Sequence, residues 1–372
     1  MDSVGKHESL RCSHCGKAAK MICAGCKGLP DGSQGQMEVH YCGAQCQKAD
    51  WASHKSLCNA ARSRRAIYRA TNLAKAVSRL FLRTKYKMVI EEVKKLDNVR
   101  IICPPSEYKG GKCALQPFPS ALFSNKEDAD AVLEFQNCNA VLDHLHGFLK
   151  RLLTGQFYLC TINKTLKLAN ETIGICSEVE EVIHFTQNTR LRLMQAYRTG
   201  LTSNPYGVDE TDYAHSVIRI TAKNGDKYIL DLTGAQYGWQ EILTPYNKYQ
   251  QSKIRQIKEV VPFGGTRQYC RQRAEKTGGM AKWQHQADIG FEDAINDILN
   301  LWQQRNTSLT TLLEIPDDQF QQQQAGLLEL LEAGMQKYRD FIVETGALDL
   351  KGDIVIGGYD RKFKDLTGKA MN

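Results

Sequence analysis

Eight closely spaced cysteine and histidine residues near the amino end constrain this chain more than any other feature of its sequence. They follow the pattern Cys12-x2-Cys15-x7-Cys23-x2-Cys26-x15-Cys42-x3-Cys46-x7-His54-x3-Cys58. A structural zinc ion takes four thiolate or imidazole ligands, so eight donors predict two zinc sites. A two-residue gap lets both sulfurs of a tight turn reach one ion, and a three-residue gap places two donors on one face of a helix.

The segment that carries these residues is too short to bury a hydrophobic core of its own. Zinc must therefore supply the folding free energy, on the order of 10 kcal/mol for each structural ion. We expect two structural Zn²⁺ ions and an unfolded segment when they are removed.

The run from Tyr41 to Cys58 resembles the second half of a MYND finger, with matches at Gln47, Trp51 and Lys55 as well as at the ligands. RING and LIM fingers place their histidine elsewhere and fit poorly. The resemblance implies that the two sites interleave, with Cys12, Cys15, Cys42 and Cys46 around one ion and Cys23, Cys26, His54 and Cys58 around the other. It further implies a finger that binds proline-rich segments of other proteins, contacted by Gln47 and Trp51. The alternative is that Trp51 packs the small core of the finger.

Composition places the rest of the chain among ordinary folded proteins. It has 372 residues, 42% of them hydrophobic, which is enough for two or three domains. No stretch of about eighteen uninterrupted apolar residues suggests a membrane helix, and residues 1–7 lack the apolar run of a signal peptide. We therefore expect no membrane association and a cytoplasmic or nuclear location.

Hydrophobic periodicity predicts an α+β protein that is mainly helical, with a β-hairpin in its body. We divide it into the zinc finger (1–60), a basic amphipathic helix or linker (61–100), an α+β body (101–300) and a C-terminal helical region (301–372). Within these regions, helices are predicted at 62–97, Glu127–Leu153, Glu178–Tyr197, Phe291–Gln304 and Phe320–Thr345, and a hairpin at His215–Thr233.

The predicted helix at 62–97 has an apolar face and a basic face. No acidic residue occurs between Trp51 and Ile90, where much of the net charge of +8 originates. Its basic face carries Arg65, Arg69, Arg79, Arg83 and Lys87. Such charge runs usually belong to a solvated face of a docked helix, which we favour. A nucleic-acid contact is possible but disfavoured, because no base-reading motif accompanies the charge, and docking of an acidic partner is the third alternative.

The hairpin region weakly resembles the segment of transglutaminase-like and papain-like folds in which a histidine opens one strand and an aspartate closes the next. The resemblance implies His215 as base and Asp231 as the residue that orients it. A nucleophilic cysteine would have to lie upstream at a helix N-terminus, where the helix dipole lowers the thiol pKa. Cys176 is the candidate at the head of the predicted helix at Glu178–Tyr197.

The register of the hairpin decides whether His215 and Asp231 are close enough to form a catalytic pair. If Ile220 faces Leu230 and Ile218 faces Leu232, His215 lies roughly 13 Å from Asp231 along the strands and no triad forms. If the loop is longer, His215 lies opposite Asp231, at about 5 Å between Cα atoms. The first register pairs apolar with apolar residues and is favoured, and the acidic residues after Cys176 disfavour a reactive thiol there.

The sequence therefore predicts a zinc-binding adaptor or regulatory protein that acts through protein–protein interaction, and it favours no catalysis. The alternative is a cysteine hydrolase or acyl transferase of transglutaminase-like fold that uses Cys176, His215 and Asp231. His144, His146 and His184 are interpreted as surface or core residues rather than metal ligands.

Overall fold

A computed structural model describes residues 10–26, 29–30, 36–105, 115–155, 159–161, 164–166, 174–196, 208–209, 213–277 and 279–345. Within them the helices are α1 (Ala44–Thr84), α2 (Lys126–Glu134), α3 (Cys138–His144), α4 (His146–Thr154), α5 (Tyr246–Lys253), α6 (Gly265–Thr277), α7 (Gly279–Arg305), α8 (Leu309–Leu312) and α9 (Asp317–Glu344), with 3₁₀ turns at Ser120–Leu122 and Gly234–Tyr237. The predicted mainly helical α+β class is confirmed.

The described strands are β1 (Met21–Ile22), β2 (Leu29–Pro30), β3 (Gln36–Met37), β4 (His40–Tyr41), β5 (Glu92–Leu96), β6 (Val99–Cys103), β7 (Leu159–Thr161), β8 (Lys164–Leu166), β9 (Cys176–Thr186), β10 (Arg192–Gln195), β11 (Val208–Asp209), β12 (His215–Ala222), β13 (Lys227–Leu230), β14 (Leu243–Pro245) and β15 (Ile254–Pro262). The largest described sheet is antiparallel and has the order β14-β13-β12-β9-β15. A second sheet has the order β11-β10-β6-β5, in which β10 runs parallel to β6.

Helix α1 begins inside the zinc finger and continues without interruption into the body. The predicted boundary at residue 60 therefore falls within a helix. The prediction of helix as far as residue 97 is wrong, because the helix ends at Thr84 and a hairpin of β5 and β6 follows. The two strands are joined at Asp97 and Asn98, and Asp97 takes a positive φ of 47°, a conformation that Asp tolerates in tight turns.

The segment predicted as a helix at Glu178–Tyr197 is instead strand, which corrects the sequence prediction. Residues 176–186 form β9 and residues 192–195 form β10, while residue 197 lies outside the described residues. Val179, Val182 and Ile183 are β-branched and favour a strand, and pairing of β9 on both edges decides the outcome over helical spacing.

The predicted helix at Glu127–Leu153 is divided into α2, α3 and α4. The first break lies at residues 135–137, where Gln136 takes a positive φ of 55°. Because of this break, Cys138 is the first residue of a new helix. In one long helix it would have been an interior residue. The helices predicted at Phe291–Gln304 and Phe320–Thr345 are confirmed within α7 and α9, while residues 346–372 lie outside the described residues.

The main sheet is covered on both faces. Ile218 and Ile220 of β12 point into the principal core, which contains buried residues of α1, α4, α7 and α9. Val217 and Ile229 point to the opposite face, where Trp239 and Tyr249 cover them. Residues at alternate positions of β12 thus enter two different cores, as the strand period requires.

The basic face of α1 is only partly solvated, which corrects the favoured interpretation of its charge: Arg83 is exposed, whereas Arg69 is buried. Arg69 donates to the main-chain oxygens of Leu313 and Ile315 and pairs with Asp317, and Arg79 pairs with Asp130 at 2.6 Å. Acidic and carbonyl groups of the body therefore neutralise much of the face that the sequence suggested was open to solvent.

Among the described residues, no helix is both long and apolar enough to cross a bilayer.

Candidate functional sites: a zinc finger and a buried histidine–aspartate pair

The eight predicted zinc ligands form two separate clusters. Cys12, Cys15, Cys42 and Cys46 form one, and Cys23, Cys26, His54 and Cys58 form the other. In each cluster the donor atoms all lie within 4.8 Å of one another. In the first, Cys15 Sγ lies 3.5 Å from Cys42 Sγ, which in turn lies 3.4 Å from Cys46 Sγ.

These distances fit tetrahedral zinc. Zinc–sulfur bonds of about 2.3 Å at tetrahedral angles place neighbouring sulfurs a little under 4 Å apart. In the second cluster the sulfur of Cys26 lies 3.1 Å from Nε2 of His54, which a shorter zinc–nitrogen bond accommodates. The clusters interleave along the chain and so confirm the predicted cross-braced arrangement of two zinc sites.

Helix α1 and the short β1–β4 pair hold the finger together. Cys46, His54 and Cys58 are on α1, as predicted from their spacing, whereas Cys42 lies just before its first turn. Buried Tyr41 donates a hydrogen bond of 2.7 Å to Asp50 of the same helix. The hydroxyl thus joins β4 to α1 beside the second cluster.

The two predicted partner-binding residues lie one helical turn apart on α1. Trp51 is 39% exposed and its ring meets that of His54 edge-on at 6.1 Å, while Gln47 is half-buried. Residues four apart share a helix face, so the indole and the amide adjoin on the surface.

The second candidate site lies at the start of β12. Nε2 of His215 is 3.0 Å from Oδ1 of Asp231, and both side chains are buried. The hairpin register lies between the two that the sequence suggested, with Ile218 opposite Leu230 and Ile220 opposite Tyr228. Continuing that register places Asp231 opposite Val217, so it reaches His215 diagonally on the same sheet face. The favoured register, and the separation of His215 from Asp231 inferred from it, are therefore wrong.

Several groups hold Asp231 in place. Its Oδ2 accepts a hydrogen bond of 2.8 Å from Tyr249, and its Oδ1 accepts one of 3.2 Å from the Thr233 amide. A Cβ added at Gly234 would lie 2.7 Å from Oδ2, so only glycine allows this close approach. The rings of Tyr237 and His184 meet the His215 ring edge-on at 4.9 and 5.5 Å.

Cys176 does not lie near this pair, which corrects its predicted position. It is the first residue of β9 rather than of a helix, and it pairs with Ala222 at the far end of β12 from His215. Burial raises the pKa of its thiol to about 12. Cys176 is therefore both distant from the imidazole and protonated at neutral pH.

Cys138 occupies the position that the sequence assigned to Cys176. It is the first residue of α3, which packs against β12, and Ser216 Oγ donates to Asn139 Oδ1 at 2.8 Å across that contact. Cys138 Sγ lies 3.8 Å from Oδ1 of Asn139, and its electrostatic interaction with His215 shifts the pKa of both groups. Nδ1 of His215, the ring nitrogen not used by Asp231, has no partner of full hydrogen-bond geometry among the described residues. It remains available to the thiol, and such contacts often tighten only when substrate binds.

The electrostatics of the three groups favour an ion pair. Burial acts to raise the pKa of the Cys138 thiol, but the hydrogen bond and the positive charge of His215 outweigh it and lower the pKa. Burial acts to lower the pKa of His215, but the charge and hydrogen bond of Asp231 raise it to about 10. Burial likewise opposes ionisation of Asp231, yet the imidazolium holds the pKa of that carboxyl well below its usual range. Together these shifts favour a Cys138 thiolate beside a His215 imidazolium that the Asp231 carboxylate stabilises.

Two of the histidines that the sequence analysis interpreted as surface or core residues, His144 and His184, are buried. His184 lies beside His215, with its Nε2 3.4 Å from the Tyr249 hydroxyl. His144 forms a buried cluster with Asp143 and His285, whose donor atoms lie within 4.8 Å of one another. Lys85 and Lys87, which pair with the neighbouring Asp288, supply positive charge there and disfavour a bound cation.

One family model matches the chain: MYND finger, at residues 12–58. The rest of the chain matches no family. Neither the curated proteins nor the solved structures contain a significant match. Residues 12–58 are thus a MYND finger that binds two zinc ions, and this finger is a module of protein–protein interaction.

Proposed function

We propose that the body is a cysteine-dependent enzyme that transfers or hydrolyses acyl groups, and that the finger brings it to protein partners. The observation that carries the first part is the 3.0 Å contact between His215 and Asp231, with Cys138 at the start of α3, the helix that packs against β12. A thiolate beside an oriented imidazolium is the arrangement that nucleophilic acyl transfer requires.

Each group has a definite role in the reaction. The Cys138 thiolate attacks the acyl carbonyl carbon and forms a sulfur–carbon bond, and the leaving group departs with the proton of His215. His215 then accepts a proton from water or an amine as that molecule attacks the thioester, which releases the Cys138 thiolate. Asp231 keeps the imidazole oriented and stabilises its positive charge throughout.

The chain order of cysteine, histidine and aspartate supports the transglutaminase-like alternative, with Cys138 in place of Cys176. Cys138 is half-buried as a residue, whereas His215 and Asp231 are shielded from water. A reducing compartment, cytosol or nucleus, suits both this thiol and the cysteine ligands of the finger.

The test is the rate at which iodoacetamide alkylates each cysteine, measured by peptide mass spectrometry across pH. Because interaction with His215 lowers the pKa of Cys138, its thiolate fraction at pH 6 should exceed that of a free thiol of pKa about 8.5, which is almost entirely protonated there. We expect Cys138 to react at least about tenfold faster at pH 6 than Cys176 and Cys270, because burial raises the pKa of each of those two thiols to about 12.

Two variants make this test specific. His215→Ala should remove the reactivity of Cys138 at pH 6, and Cys176→Ala should leave it unchanged. An activated ester such as p-nitrophenyl acetate should leave an acetyl group on Cys138 and none in Cys138→Ala. Reactivity of Cys138 that follows an ordinary thiol titration and ignores His215→Ala would refute the proposed enzyme.

For the finger we propose that Gln47 and Trp51 contact a proline-rich peptide. The exposed indole and the adjoining amide support this, since a flat aromatic surface and a hydrogen-bonding amide suit an extended polyproline segment. By this proposal the protein is an enzyme with an adaptor finger rather than an adaptor alone.

Trp51→Ala should weaken binding of proline-rich peptides by about tenfold or more, equivalent to ~1.4 kcal/mol, as measured by calorimetry. Tyr68→Ala is a matched control, because Tyr68 is an aromatic residue of the same helix with nearly the same exposure, 38%, outside the finger. If Trp51→Ala lowers zinc content without a specific loss of peptide binding, Trp51 has only the structural role.

A further inference from the structure

Gln236 is a buried amide whose orientation the structure fixes. It lies on the 3₁₀ turn Gly234–Tyr237, a few residues after Asp231, and is 1% exposed. Its Oε1 accepts a hydrogen bond of 3.0 Å from the main-chain N–H of Gln136. Because a backbone N–H can only donate, the amide atom that faces it must be the oxygen. The NH₂ group therefore points away from Gln136.

That NH₂ group is buried and has no hydrogen-bond partner among the described residues. Leaving a buried donor unsatisfied is unfavourable, because the donor loses its hydrogen bonds to water and gains none in return. Nearby amides are satisfied in the usual way: Gln187 and Asn188 donate to the main-chain oxygens of Gln251 and Ser252. The unpartnered NH₂ group of Gln236 is explained if it donates a hydrogen bond to a ligand that binds and leaves.

Hydrogen bonds connect the turn that carries Gln236 to the segment just before Cys138. Gln136 is two residues before Cys138, a span of at most about 7 Å between Cα atoms. A second hydrogen bond of 3.0 Å, from the Ala235 amide to Glu134, ties the 3₁₀ turn to the segment that leads to Cys138.

We propose that Gln236 is a catalytic residue whose Nε2–H donates to the acyl carbonyl oxygen of the substrate. When Cys138 attacks, that oxygen becomes negatively charged, and a fixed neutral donor stabilises it without reorganisation of its own. This inference rests on the proposed acyl-transfer function and assigns the group that stabilises its transition state.

The test separates attack on a carbonyl from attack on a saturated carbon. Acetylation of Cys138 by p-nitrophenyl acetate passes through an oxyanion, whereas alkylation by iodoacetamide does not. In Gln236→Ala we expect the acetylation rate to fall by about 10²–10³-fold and the alkylation rate to stay within about twofold. Gln187→Ala, which removes an amide that is already satisfied, should change neither rate.

Gln236→Glu provides a second measurement if the alanine variant is poorly folded. The carboxylate keeps an acceptor for the Gln136 N–H but has no donor, so acetylation should fall when it is ionised. As pH is lowered and the carboxyl becomes protonated, it regains a donor, and acetylation relative to alkylation should recover. Thermal unfolding shows whether each variant is folded.

Three outcomes overturn these conclusions in different ways. Equal losses of acetylation and alkylation would show that Gln236 only positions Cys138, and an unchanged acetylation rate would show that it has no part in the reaction. Failure of the unaltered protein to acetylate Cys138, despite rapid alkylation, would overturn the proposed acyl-transfer function itself.

Discussion

Removal of zinc should unfold residues 12–58 while the body remains folded. Each four-ligand cluster holds together a segment with almost no core besides its own cysteines and Tyr41. The two ions together should contribute on the order of 20 kcal/mol, at about 10 kcal/mol each. Hydrogen exchange after chelation should show loss of protection through the finger and in the first turns of α1, while the buried stretch from Ala66 to Leu82 stays protected by the body.

Cys26→Ser tests the same prediction without a chelator. It removes one ligand of the fully buried cluster, so metal analysis should find about one zinc per chain instead of two. Cys103→Ser is the matched control, because Cys103 is also buried but lies outside both clusters. Full protection of the finger after complete loss of metal would contradict the prediction.

The finger was predictable because its information is local. Zinc ligands follow one another at spacings that a tight turn or one helix face must satisfy, so the sequence nearly determines the pairing. The same reasoning worked for the hairpin at Asn224-Gly225-Asp226, whose strands are β12 and β13. Its register could not be obtained in this way, because pairing with β9 and β14 on either side also determines it.

The proposed nucleophile, Cys138, was missed because its position depends on contacts between distant segments. Cys138 lies in a stretch with continuous helical periodicity, and the turn at Gln136 is stabilised by hydrogen bonding to Gln236, one hundred residues later in the chain. The available signal was Asn137, a residue common before helix starts, directly followed by a cysteine. Cys176 was chosen instead because β9 has acidic and apolar residues at spacings that also fit a helix.

The partners of the basic residues of α1 also could not be predicted, because they come from distant parts of the chain. Sequence reports that Lys75 and Arg79 are basic, but not that Glu134 lies against them. Lys75 Nζ is 2.5 Å from Glu134 Oε1 and donates to the Leu232 oxygen at 2.7 Å, while Glu134 accepts from the Ala235 amide. This buried pair therefore connects α1 to both segments of the proposed catalytic site, the one before Cys138 and the one after Asp231.

Glu134→Ala should destabilise the protein by about 3–5 kcal/mol, because it leaves Lys75 as a buried charge without its main partner. Burial lowers the pKa of Lys75 and raises the pKa of Glu134, so each charge is disfavoured in this interior unless the other compensates it. Denaturation by urea, followed by circular dichroism, measures the loss. We also expect slower alkylation of Cys138 at pH 6, since the Ala235 amide loses its acceptor and the turn that holds Gln236 loosens.

A double-mutant cycle separates loss of the pair from creation of an unpaired charge. Lys75→Met and Glu134→Met should each be destabilising alone, but the two together should cost clearly less than the two single changes added, because no isolated charge remains. Glu127→Ala, an acidic residue on the exposed side of the same short helix, should cost less than about 0.5 kcal/mol. Strict additivity of the single changes would show that Lys75 and Glu134 do not depend on each other. The connection from α1 to the catalytic segments would then have to lie in apolar packing alone.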